Sequence, residues 1–172
     1  ESWLSRAHEL AETDEEYAAI LGVRGMNASD MGRYPAAFGF LAESVERADR
    51  CGDRRQQAWS LSIIGRAHLL RGERSQSAAA IADTLRLVHD QRWMAFLPWP
   101  QALRAELDLL AGDVATASDG FEQACSQSVK RQRCRHEPPC SIAAEASGGS
   151  DGSGAASLPG SGTRTCCCSR ST

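Results

Sequence analysis

The sequence predicts an all-α fold, a solenoid of antiparallel helix hairpins followed by a disordered tail, and three observations carry that expectation. Glycine and tryptophan recur at one interval: Gly25 and Gly65 are 40 residues apart, Gly32, Gly72 and Gly112 repeat at 40 and 40, and Trp59 and Trp99 at 40 again. Between them the side chains of one face fall at helical spacing, as in Leu61, Ile64 and His68. After Ser128 this pattern stops and Gly, Ser, Pro and Cys take over. A fixed period of about 20 to 50 residues marks a repeat architecture, and a two-helix unit of this length needs stacked neighbours to hide its apolar faces.

Taken in order, the chain opens on ESWLSRAHEL, where Leu4, Ala7 and Leu10 already lie at helical spacing, as they would in a fragment of something longer. Thr13 followed by Asp14, Glu15 and Glu16 marks the next helix start, where negative charge favours the helix dipole, so these carboxylates read as capping groups rather than an acid and base pair. The middle unit predicts a first helix over Arg54 to Arg71, a turn at Gly72, and a second helix over Ser75 to Gln91 with Ile81, Leu85 and Val88 inward. Glycine after the first helix supplies the left-handed residue that a C-terminal cap commonly needs. In WMAFLPWPQAL, Trp93 to Leu103, proline is tolerated only in a first turn, so the third unit's first helix starts near Pro98. Residues 93 to 97 then form an apolar connector, which fills the core between units or contacts a ligand.

Gly65 sits inside an otherwise good helix, where it costs roughly 1 kcal/mol relative to alanine. The expected reason is a close approach of the second helix, with Gly25 and Ala105 in the equivalent places of the other units.

The run Gly112, Asp113, Val114, Ala115, Thr116, Ala117, Ser118, Asp119, Gly120, Phe121, Glu122, Gln123, Ala124 resembles the second half of a tetratricopeptide repeat. The first unit matches with Gly32, Tyr34, Ala37 and Leu41 but has Ser44 where Ala is usual, and the second with Leu61, Ile64, Gly65 and His68, while Ser77 and Thr84 depart from alanine. Family repeats run to about 34 residues. The longer unit and degenerate positions make residues 1 to 127 similar to the tetratricopeptide-like region of large ATP-binding bacterial transcriptional activators of the LuxR and maltose-activator type. That resemblance implies a right-handed solenoid that senses an inducer or binds a protein. It places repeat packing at Gly25, Gly32, Gly65, Gly72, Ala105, Gly112, Ala117 and Phe121. It also implies a concave groove lined by the first helices, with Met26, Trp59, Ser62, Arg66, Trp99 and Glu106 facing it. Two readings of Trp59 and Trp99 stay open, groove contact and packing between hairpins. A stand-alone tetratricopeptide adaptor, binding a peptide or protein in the groove, is the alternative function.

Composition narrows the remaining classes. The net charge of -3 is uneven: residues 129 to 172 hold six Lys/Arg against three Asp/Glu, leaving thirteen against nineteen in the organised part, which suits direct phosphate binding poorly. No G-x-x-x-x-G-K-[ST] loop and no recognition helix is present, so neither ATP nor DNA binding falls to residues of this chain. No apolar run approaches the length needed to span a bilayer and no signal peptide pattern opens the chain, so it reads as cytoplasmic. His8, His68 and His89 lack partners at metal-ligand spacing, and no nucleophile, base and orienter assemble, so the chain is expected to be non-enzymatic, without cofactor or metal. In the tail, Cys134, His136, Cys140 and one of Cys166, Cys167 and Cys168 make a poor zinc set, and a disulfide framework does not suit an intracellular chain. The tail reads as disordered or as an out-of-frame translation, with the repeat breaking off after Ala124. The uncapped end of the array is expected to expose apolar surface and favour self-association.

Overall fold

The computed structural model describes residues 2–136, with side chains over 3–128, and among these it contains helices and no strand. The helices are α1 (Ser2–Leu10), α2 (Asp14–Asp30), α3 (Tyr34–Cys51), α4 (Arg54–Leu70), α5 (Arg74–Asp90), α6 (Pro98–Leu110) and α7 (Val114–His136). The described residues 2–136 lie within one compact unit. Residues 137–172, where the readings of a disordered or out-of-frame tail and of Cys140 and Cys166 to Cys168 as ligands fall, lie outside the described residues.

The boundaries follow from local chemistry. Thr13 opens α2 as one half of a capping box, accepting from the Glu16 N–H at 3.2 Å while the Glu16 carboxylate accepts from the Thr13 N–H at 3.2 Å. Asp53 caps α4 by accepting from the N–H groups of Arg55 and Gln56 at 3.1 and 3.0 Å. Pro98 sits in the first turn of α6, where its missing N–H costs nothing. At the other end α7 runs on to His136, eight residues beyond Ser128, where the sequence pattern was expected to stop. Loss of apolar periodicity is not loss of helix propensity, and Lys, Arg and Gln in VKRQRCRH are good helix formers.

The left-handed residues recur with a shorter interval than the sequence comparison finds. Among the described residues Gly32, Gly52, Gly72, Arg92 and Gly112 are the positive-φ residues, spaced 20 apart, so the step is one helix plus one turn. Each closes the same pair of hydrogen bonds. At Gly32 its own N–H donates to the Ser29 carbonyl at 2.9 Å and the Arg33 N–H to the Ala28 carbonyl at 2.8 Å; at Gly72 the acceptors are Leu69 and His68, both at 2.9 Å. This double closure is the Schellman pattern that satisfies orphan carbonyls at a helix end. At Arg92 the pattern persists without glycine, with φ at 47° and bonds to His89 and Val88 at 3.0 and 2.9 Å. An L side chain there carries strain of about 1 kcal/mol. Arg92→Gly is therefore expected to stabilise the chain by about 0.5–1 kcal/mol, seen as a higher urea midpoint; a lower midpoint would contradict the strain.

Short turns make successive helices antiparallel, and the pairs α2 with α3, α4 with α5 and α6 with α7 pack most extensively. The first helices of these pairs also touch one another, α4 against α2 and α6 against α4. Apolar clusters sit at those junctions. Ile63 of α4 packs with Ala28, Ala37 and Leu41 of the first pair, and Leu103 and Leu107 of α6 pack with Leu69 and Ile81 of the second. The 93–97 connector joins a third cluster, in which buried Leu97 meets Ala58, Leu87 and Val88 while Trp93 and Phe96 stack on each other at 4.4 Å.

Candidate interaction site

The glycines within helices locate the closest backbone approaches. A Cβ on Gly25 would fall 2.7 Å from Leu41 Cδ2 and 3.3 Å from the Ala37 carbonyl oxygen. One on Gly65 would fall 2.8 Å from Ile81 Cγ1, and the Ser77 hydroxyl donates to the Gly65 carbonyl at 2.8 Å across the same gap. In the third pair the places are exchanged, with Gly120 lying against Ala105, whose Cβ would be 2.9 Å from an added Cβ. Ala105 and Ala117 are buried, while Phe121 is 37% exposed. Gly32, Gly72 and Gly112 meet nothing within 4 Å and serve the turns through their positive φ.

A further close approach, not expected from the sequence, joins first helix to first helix. A Cβ on Gly22 of α2 would lie 2.6 Å from Gln56 Nε2 and 2.7 Å from the Trp59 ring of α4. The available signal was the run of small residues at the 40-residue interval, Gly22, Ser62 and Ala102. Beside it lies a buried polar knot. Ser44 donates to the Ala18 carbonyl at 2.6 Å, and its oxygen lies 2.8 Å from the Ser60 hydroxyl, which also accepts from Gln56 Nε2 at 3.2 Å. Ser44, where alanine is usual, thus ties α2, α3 and α4 together, and each hydroxyl has a partner.

The expected groove residues divide between two hollows. Trp59 is half-buried and lines a cavity of about 240 Å³ with Ala19, Val23, Arg55, Gln56 and Trp93, the Arg55 guanidinium lying 5.7 Å from the Trp93 ring centre. Arg66, Trp99 and Glu106 line another of about 200 Å³ with Leu70, Ala102 and Phe121. Arg66 is already paired with Asp30 of α2 at 2.7 Å. Met26 is partly buried against the first apolar cluster. Ser62, expected in the groove, is instead fully buried and donates to the Trp59 carbonyl at 2.6 Å, so it presents nothing to a partner. The 40-residue equivalence of Trp59 and Trp99 does not extend to exposure, since Trp99 is 41% exposed and has no next first helix over it among the described residues.

Among the described side chains the reactive groups do not converge. His68 stacks on Phe38 at 4.4 Å and its Nδ1 lies 2.6 Å from Glu73 Oε2, an orienting contact without a hydroxyl or thiol on the ring. Among the described residues no three His, Cys, Asp or Glu side chains group to hold a metal, and no helix is long and apolar enough to cross a membrane.

Among the described residues four carboxylates are held below their ordinary range. The Arg50 guanidinium lowers Asp14, with Arg47 adding to it; the N–H groups of Glu12 and Thr13 lower Glu16; His68 and then Arg71 lower Glu73; the Thr116 hydroxyl and N–H lower Asp113. A carboxyl depressed on folding stabilises the fold above its unfolded pKa and loses that contribution as pH falls through the folded value. Stability is therefore expected to be level in this respect above about pH 5 and to decline as pH drops below about 4. Urea midpoints measured across that window check it, and a midpoint that rises on acidification would contradict it.

No family model, curated protein or solved structure matches this chain.

Proposed function

We propose that the chain is a tetratricopeptide-like solenoid, right-handed, serving as the protein-interaction or inducer-sensing region of a bacterial cytoplasmic transcriptional regulator rather than as an enzyme. The observation that supports the solenoid is the equal spacing of Gly32, Gly52, Gly72, Arg92 and Gly112, combined with packing of α2 on α4 and α4 on α6. Equal steps apply the same rotation to each pair, and first helices that touch in succession line one side of such an array. What supports a binding role is the pair of aromatic hollows along those helices, in which tryptophan, half-buried at Trp59 and exposed at Trp99, lies beside arginine, the composition of interaction hot spots. The regulator assignment rests on the sequence resemblance.

Reading the encoding locus across both ends, in all three frames, tests the assignment. A phosphate-binding loop upstream and a helix-turn-helix downstream support the regulator. Flanks without either overturn it and leave the stand-alone adaptor. In a regulator, Trp99→Ala is expected to reduce inducer-dependent transcription of a reporter several-fold while circular dichroism stays unchanged, because Trp99 is exposed.

A further inference from the structure

The hollow beside Trp59 carries chemistry that the repeat itself does not require. On α4 it holds Arg55 and Gln56, whose counterparts forty residues on are Ala95 and Phe96. On α2 it is built from Ala19 and Val23, where the next first helix has the larger Trp59 and Ile63. Two small residues and two indoles, Trp59 and Trp93, thus bound a space of about 240 Å³. Trp93 is fixed by stacking on Phe96 at 4.4 Å, and buried Leu97 anchors the same connector. The aromatic wall is therefore set before anything binds, which lowers the ordering cost of binding.

The charge of this hollow is one-sided. Arg47, Arg50, Arg54 and Arg66 each meet a carboxylate. Among the described residues Arg55 meets none, and no carboxylate lines the hollow. The Arg55 guanidinium is exposed and lies 5.7 Å from the Trp93 ring centre. An aromatic face attracts the charge but offers no lone pair to the five N–H donors.

We propose that this hollow binds a small planar aromatic carboxylate, its ring against Trp59 and Trp93 and its carboxylate on Arg55. Indole faces favour an offset-stacked ring, and the planar guanidinium fork matches a carboxylate with two parallel hydrogen bonds. The volume falls below the range of about 300–1,000 Å³ for drug-sized sites, so it suits one bicyclic ring rather than an extended chain. An inorganic anion would leave both indoles unused, and an aromatic cation would meet Arg55 with like charge. The proposal rests on the inducer-sensing reading above and names the ligand class for it.

The probe is 2-naphthoate, titrated into the full chain by calorimetry beside 2-naphthamide, which has the same ring without the charge. Saturable binding of the acid is expected with a Kd below about 1 mM, and binding of the amide about tenfold weaker. Arg55→Gln is expected to bring the acid down to the amide. Ala19→Trp, at an exposed position on the edge of the hollow, is expected to fill the space and abolish binding while circular dichroism stays unchanged. No saturation by the acid, equal binding of acid and amide, or binding indifferent to Ala19→Trp each overturns the proposal. Tighter binding of a peptide ending in a free tryptophan carboxylate would assign the hollow to a chain terminus instead. Flanking DNA without regulator modules would overturn the regulator and leave this titration standing, whereas a failed titration beside a Trp99→Ala reporter defect would remove the aromatic acid alone.

Discussion

Replacing Gly65 by leucine is expected to cost about 3 kcal/mol or more, read as a lower urea midpoint. Its Cβ alone would come 2.8 Å from Ile81 Cγ1, and the remaining side-chain atoms would have to enter a gap already bridged by the Ser77 to Gly65 hydrogen bond. Ile81 is fully buried, so it cannot turn aside into solvent. The effect belongs to the site and not to glycine in helices as such. Gly39 meets nothing within 4 Å, so Gly39→Ala is expected to gain about 1 kcal/mol through helix propensity. A Gly65→Leu chain with an unchanged midpoint would remove the close-packing explanation.

Ile81→Ala is expected to cost about 3 kcal/mol, and Phe121→Ala, 40 residues on, only about 1 kcal/mol despite removing the larger side chain. Ile81 is enclosed by Leu69, Leu103 and Leu107, so its removal leaves a cavity. Phe121 is 37% exposed and has little to lose to water. Equal losses at the two positions would mean that the third pair is covered as fully as the second.

Much of the helical order is legible in the chain because it is carried by residues whose chemistry is local. Proline at 98, the threonine and acids from 13 to 16, and the turn glycines each act within a few residues of themselves. The 20-residue step was harder to see, because Arg92 stands where a glycine would have completed the series and Gly52 therefore had no partner 40 residues on. Positions that depend on a neighbouring helix were the least legible. Gly22 reads as an ordinary helix-interior glycine until Trp59 and Gln56 are brought to it, and Ser44 reads as a departure from alanine until Ser60 is placed beside it. Ser62 shows the converse error: helical spacing put it with Trp59 and Arg66, but one turn of a helix packed on both sides is enough to bury it.

Native-state hydrogen exchange across α2 to α7 tests the stacked array most directly. In a quasi-one-dimensional array protection depends on how many neighbours hold a helix, and among the described elements α4 packs against α2, α3, α5 and α6 while α7 packs against α6 alone. The account predicts the slowest amides in α4 and a decline toward α7. Uniform protection along the chain, or a maximum in α7, would contradict it.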